Sequence, residues 1–549
     1  DGTTKATYEK RELIFSDISV RHNGGVYTGE GSLSWDQAGK TGYRFNTRAQ
    51  DGYPNDIIRL FYESLPLDTR ANGSVAISGV NQEFRVEGNM EVKGGSIYDV
   101  AFDHGNVSFD INSARIRFPK ISLERGLSSM AGEGEINFQG GYEASVTTRN
   151  LHLEDISLVY KLPALQGSFS GEIAGKGTFS HPHLILTGNF SNLFYRDQTI
   201  EEGETRIILD GETAEIHAGF KGESVRLDGS VSIVPPYISN FTLSGNNIPL
   251  SPLLAVSSSW QYTSIQGSVT GTIDVDGPLS RVSDLALKAT ISRLSANLNG
   301  YEIANKDDIS FRIRDRELTI ESFRLAGEGT LLNLSGGLIF FKKYGLFISG
   351  EADLSLLKSF QKIVTQGVGK AYLAVKISDL WDNPKIQGGL TVQEGQIRVS
   401  FLRETVQISN LGLFFNEHQV LLENLDGSLG EGSFHGTGKL DLEGFKPGAF
   451  GFMLETPGIR IAPVSGWASM VAGTLFLQGN SSDQDLQGEI VLSRGEYKTP
   501  FDLKALVNAL ARTRNRIEPI PYFGPMRLNI RITGDDKLDI NNNIARIPF

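Results

Sequence analysis

The sequence predicts a mainly β protein: an elongated, open antiparallel sheet built from repeats of about 100 residues, with a few short helices. Three observations predict it. Apolar and polar residues alternate with period two through most of the chain, as in SFRLAGEGTLLNLSGGLIFF (Ser322–Phe341), giving each strand one dry face and one wet face. Glycine contributes 62 of 549 residues, dispersed among Val, Ile, Phe and Thr, as many strands joined by tight turns require. A motif, Gly-x-apolar-x-apolar-x-x-Gly-x-apolar, recurs in one phase: GNMEVKGGSIYD from Gly88, GGLTVQEGQIRV from Gly388 and GEIVLSRGEYKT from Gly488.

Each repeat is expected to carry three elements. The first is short and helical: Asn55–Leu65, Leu153–Leu162, Ile248–Val256, Asp353–Val364 and Ile461–Val471, of which the fourth has clean i, i+3/i+4 spacing. The second is an alternating strand led by Gly73, Gly167, Gly267, Gly369 or Gly473. The third is the motif itself, which keeps Gly188 and Phe190 in its second copy and Ile291 in its third. In GGLTVQEGQIRV, Leu390 and Val392 are expected to face inward, Gly395 to permit a turn, and Ile397 and Val399 to face inward again. A further helix, Phe501–Thr513, follows the last copy. The repeats divide the chain at 1–66, 67–165, 166–262, 263–366, 367–471 and 472–549, with no linker between them, which favours one continuous sheet over separate sandwiches. Roughly 40 strands spaced about 4.8 Å apart would extend on the order of 150–200 Å.

A long sheet with one apolar face must cover that face, and one short helix per repeat is too small to do so. The expectation is an apolar groove able to hold acyl chains. Its wall is assigned to Val269, Ile273, Val275, Leu285, Leu287, Ile291, Phe311, Ile313, Leu318, Ile320, Phe323, Leu325, Leu390, Val392, Ile397 and Val399. Each buried methylene of a lipid tail contributes about 0.8 kcal/mol, so no phosphate-binding motif is needed. Headgroups would ride at a hydrated rim.

Other chemistries find little support. The net charge is −12 and no basic stripe exists, which argues against nucleic acid. The absence of cysteine removes disulfides, thiolate metal sites and thiol catalysis. No apolar run approaches the roughly 18–20 residues of a membrane span, and the polar, charged opening from Asp1 is not expected to be a signal peptide. The last residues read as strand without a closing element, so the chain is expected to be part of something longer. His181 and His183 are close but lack a third ligand, and a surface turn accounts for them. GVGK (Gly367–Lys370) lacks the upstream Gly and following Ser/Thr of a phosphate loop, and GEGEINF from Gly132 lacks a dinucleotide-site context. The carboxylate pairs Glu201–Glu202 and Asp535–Asp536 sit in turn-like sequence. The expectation is a protein without catalysis, cofactor or metal.

The stretches NPKIQGGLTVQEGQI (Asn383–Ile397), HPHLILTGNF (His181–Phe190), DQDLQGEIVLSRGEY (Asp483–Tyr497) and RLNIRITGDDKLDINNNIARI (Arg527–Ile547) resemble the TamB and AsmA-like family of bacterial envelope proteins. The resemblance is most specific from Asn383 onward. It implies a long, twisted, U-shaped (taco-like) sheet with a hydrophobic groove, inner-membrane anchored, carrying phospholipid across the periplasm of a Gram-negative bacterium in the manner of bridge-like lipid transfer proteins. It also implies an outer-membrane barrel partner of the TamA/BamA type. Two other functions compete: a module that assists outer-membrane protein and autotransporter assembly by β-strand augmentation, and a structural surface fibre.

Overall fold

The computed structural model describes residues 1–55, 67–97, 99–155, 165–195, 198–222, 224–250, 265–360, 364–400, 402, 404–464, 467–497, 526–534, 538–541 and 546–548. Nearly all of them lie in strands, as the period-two alternation and the Val, Ile, Phe and Thr content require. The contacts divide the chain into two units: residues 1–245 with 274–282, and residues 246–273 with 283–549.

In the first unit each strand pairs antiparallel with the next along the chain. Thr41–Gly52 pairs with Leu67–Val80, then come Glu83–Ile97, Val100–Asn112 and Arg115–Arg125, and the meander continues to Val225–Ser232 and the strand beginning at Ile238. Its principal buried cluster (Val75, Val86, Met90, Val92, Phe102, Phe109, Ile111) comes from consecutive strands.

The second unit repeats this plan. Ile309–Arg314, Glu317–Ser322, Thr330–Ile339, Lys343–Asp353, Val364–Leu380, Asn383–Val399 and Val406–Glu417 follow one another in antiparallel register. The antiparallel rule ends at Gln484–Tyr497, whose next neighbour, Met526–Gly534, runs parallel to it. A parallel pair cannot be closed by a hairpin, and the connection here spans 498–525.

Bulges recur on successive strands. In the first unit they fall at Thr148/Leu151, Gln166/Ser168 and Phe190/Leu193. In the second they fall at Val368/Lys370, Ile408/Asn410 and Leu422/Leu425. Each extra residue bends its strand and increases the local twist. The recurring motif is one of these bulges, which corrects the turn expected at Gly395. Asn383–Val399 is a single strand, and the left-handed residue is Glu394, at φ 55°. The extra residue is also why even-numbered Leu390 and Val392 share a face with odd-numbered Ile397 and Val399.

Of the expected helices, Asp353–Val364 forms a 3₁₀ turn, Leu354–Leu356, followed by the α-helical turn Leu357–Phe360, and Val364 already belongs to the next strand. Helical backbone also starts at Pro54, Leu153 and Leu250, but the remainder of those three elements and all of Phe501–Thr513 lie outside the described residues. Ile461–Val471 is corrected: it lies in two paired strands, Lys446–Val464 and Trp467–Gly479. Pro463 is unsuited to a helix interior, and the β-branched Ile461, Val464 and Val471 favour an extended chain.

Candidate functional site: a half-buried apolar face

The strands of each unit place apolar side chains directly opposite one another in rows that cross the ladder. In the first unit Val146, Ile173, Leu186, Ile207 and Ile216 stand on successive strands, and the row continues through Gly229 to Phe241. In the second, Leu325, Leu332, Gly350, Leu373, Leu390, Leu413, Leu422, Gly438, Phe452, Leu477 and Leu486 form such a row. A parallel row runs Leu287, Ile313, Leu318, Leu338 and Tyr344. All of these residues are half-buried: neighbouring strands cover them, and among the described residues no second sheet packs over them.

The opposite face is charged, with cross-strand pairs such as Arg115–Glu135 at 3.0 Å, Arg312–Glu321 at 2.6 Å, His217–Asp228 at 2.8 Å and His435–Asp426 at 2.6 Å. Those pairs reach solvent and contribute little stability individually. Among the described residues no group of three His, Cys, Asp or Glu side chains is placed to hold a metal ion.

Phenylalanine and glycine face each other repeatedly along the apolar face: Gly88 opposite Phe109, Gly203 opposite Phe220, Gly427 opposite Phe434 and Gly438 opposite Phe452. At each pair the ring occupies the space a Cβ on the glycine would need. The aromatic ring thus shields backbone that a glycine strand leaves bare.

Most of the sixteen wall residues predicted from sequence are half-buried strand residues. Phe311 faces Ile320, Ile313 faces Leu318 and Leu390 faces Leu413. Ile273 is more exposed, at 40%. Leu285 lies just outside a strand, and Phe323 sits at the break between Glu317–Ser322 and Arg324–Gly327. Val392 differs from the rest. At 2% exposure it packs with Ala371 and Ile408 against Leu354, so it supports the short helix instead of offering free wall.

That helix is held at both ends. Asp353 caps it, its carboxylate accepting from the Ser355 amide at 2.8 Å. Leu354 projects onto two glycines: a Cβ on Gly395 would lie 2.8 Å from Leu354 Cδ1, and one on Gly369 3.5 Å away. At the other end the Ser359 hydroxyl donates to the Leu298 carbonyl at 2.6 Å, Asn299 donates to the Ser359 carbonyl at 3.1 Å, and Leu356 packs against Leu298, Tyr301 and Ile303. The Tyr301 phenol donates to the Glu328 carbonyl at 2.6 Å, and burial raises its pKa above the ordinary value. Gly395→Val is expected to lower stability by about 1–3 kcal/mol through overpacking against Leu354, read as a fall in the urea midpoint. Gly451→Val, where a Cβ would meet nothing within 4 Å, is expected to change it by less than about 0.5 kcal/mol.

Sequence reasoning missed the first-unit row and the seat of Leu354. The row was visible as alternation in GEIAG and ETRIILD, but it lies where the resemblance is least specific. The seat required two glycines about 25 residues apart in sequence to be neighbours in space, which only the register supplies. Compared with models of known protein families the chain matches none, and no curated protein matches it either.

Proposed function

We propose that the chain is a non-enzymatic lipid conduit of the bacterial periplasm, carrying phospholipid acyl chains along its apolar face between inner and outer membranes in support of outer-membrane biogenesis. The observation that carries this reading is the uninterrupted apolar row from Leu325 to Leu486, half-buried along its length and free of charged side chains. Such a row favours hydrocarbon at every step without fixing it at any one of them, which sliding requires. The rows contain no group that would grip a phosphate, so the headgroup remains in water. The resemblance to the TamB and AsmA-like family supports transport across the envelope and an outer-membrane barrel partner.

The test is lipid occupancy. Native mass spectrometry and lipid extraction of the purified full chain are expected to find phospholipid bound at more than one equivalent. A chain that is folded and free of lipid after expression in a Gram-negative host overturns the conduit. One observation favours a second reading, assembly of outer-membrane proteins by strand addition. The strand Met526–Gly534 pairs on one side only among the described residues, and its Leu528 and Ile532 are exposed. A lipid-free chain would shift the balance to that reading.

A further inference from the structure

The turns of the second unit differ between the two ends of its strands. At the end where Leu298 meets the short helix, the tight turns are polar: Asn299–Gly300, Glu328–Gly329 and Gly430–Glu431. At the other end three turns carry aromatic or large apolar side chains that meet. Trp381 is the centre. Its ring stacks on Tyr344, with centroids 4.7 Å apart and planes 10° apart, and lies 5.5 Å from Phe341 and 6.4 Å from Phe340. Phe445, from the turn after Gly432–Glu443, packs edge-on against Tyr344 at 5.6 Å. The outer members are left in solvent: Phe341 is 81% exposed, Leu380 61% and Phe445 55%.

Lysines accompany the exposed rings. Lys342 and Lys343 follow Phe341 and Lys446 follows Phe445; all three are exposed and carry no ion pair among the described residues. Lys385 is engaged by Asp379 at 3.6 Å and Glu417 at 3.4 Å. With Asp379 and Glu417 both on Lys385, and Asp382 and Glu443 nearby, four lysines and four carboxylates balance over the cluster as a whole; the three lysines without an ion pair are the ones that stand next to the exposed rings.

We propose that this turn cluster is a contact for the interface of a phospholipid bilayer containing anionic lipid. Tryptophan and tyrosine place an apolar ring and a polar edge at headgroup depth, and phenylalanine tips reach below it. Lysines extend their stems along the apolar boundary while keeping the ammonium among the phosphates. The cluster sits on protruding turns, which enter a deformable interface without a fitted cavity, whereas a stable protein partner would need a complementary surface of about 800 Å². The inference does not depend on lipid moving along the apolar face.

The experiment uses the full chain and vesicles of phosphatidylcholine with about one third phosphatidylglycerol, read by co-sedimentation. The wild type is expected to bind, and the double variant Phe341→Ser/Phe445→Ser to bind at least about tenfold more weakly with its circular dichroism unchanged, since both side chains face water. Lys342→Glu/Lys343→Glu is expected to abolish the preference for vesicles with the anionic lipid. Vesicles are expected to shift the tryptophan emission to the blue, and Trp381→Phe to remove most of that shift. Leu127→Ser, which removes an 82% exposed apolar side chain of the first unit, is expected to bind vesicles like the wild type; if it loses binding as the double variant does, exposed apolar side chains in general make the contact and the turn cluster is not its site. Unchanged vesicle binding by Phe341→Ser/Phe445→Ser, or no vesicle binding by the folded wild type, overturns the proposal. Loss of a protein partner by that variant with vesicle binding intact assigns the cluster to the partner and overturns it equally.

Discussion

Val392→Asp is expected to destabilise the second unit by about 3–5 kcal/mol, measured by urea denaturation followed through tryptophan fluorescence. Val392 is 2% exposed and enclosed by Ala371, Ile408 and Leu354, none of which can hydrogen-bond a carboxylate through its side chain. A buried carboxylate without a partner relieves its desolvation by taking up a proton, so its pKa in the folded state rises above the unfolded value of about 4. The sign of the pH dependence follows. Below about pH 4 the side chain is neutral in both states and the charge-related part of the loss is absent; as pH rises toward the raised folded value that part grows to its full size. Val392→Ala removes only methyl groups and is expected to lose about 2 kcal/mol at every pH. A Val392→Asp protein as stable as wild type at neutral pH would mean that Leu354 does not cover this position in solution.

The strand content and the face assignment were legible in the sequence because alternation is a local signal that pairing reads directly. Phe311, Ile313, Leu318 and Ile320 lie on the face their period assigns to them. The bulge was illegible for a physical reason. Its left-handed residue is Gly94 in the first motif copy, Asn192 in the second, Glu394 in the fourth and Arg494 in the fifth, so no residue type marks it. The glycine that follows drew attention as the flexible position, yet Gly395 is absent from the left-handed region and serves by lacking a side chain where Leu354 must fit. The short helix hid the status of Val392 for the same reason. Nothing within five residues of Val392 tells it apart from Leu390; the difference comes from an element about 40 residues earlier.

The pair that best tests the conduit is therefore Phe311 and Ile320, which face each other on neighbouring strands and remain half-buried. Phe311→Asp/Ile320→Asp is expected to keep its fold, because a carboxylate at either position can reach water and avoids most of the desolvation that Val392→Asp suffers. It is also expected to hold phospholipid at least about tenfold less well in lipid extraction and native mass spectrometry. The magnitude follows from the row itself. Ala289, Phe311, Ile320, Gly336 and Leu346 lie in line across successive strands, so two carboxylates interrupt that row at its middle. Forcing three or four methylenes off the apolar surface at that point forfeits about 2–3 kcal/mol, a factor of roughly 30–150 in occupancy. Stability and occupancy should then separate: Val392→Asp loses its fold, while Phe311→Asp/Ile320→Asp stays folded and loses lipid. If the double variant keeps wild-type lipid content, hydrocarbon does not run along this face and the conduit fails. If it unfolds as readily as Val392→Asp, these residues form a dry core, and the half-buried face is an interior that the second unit keeps from solvent.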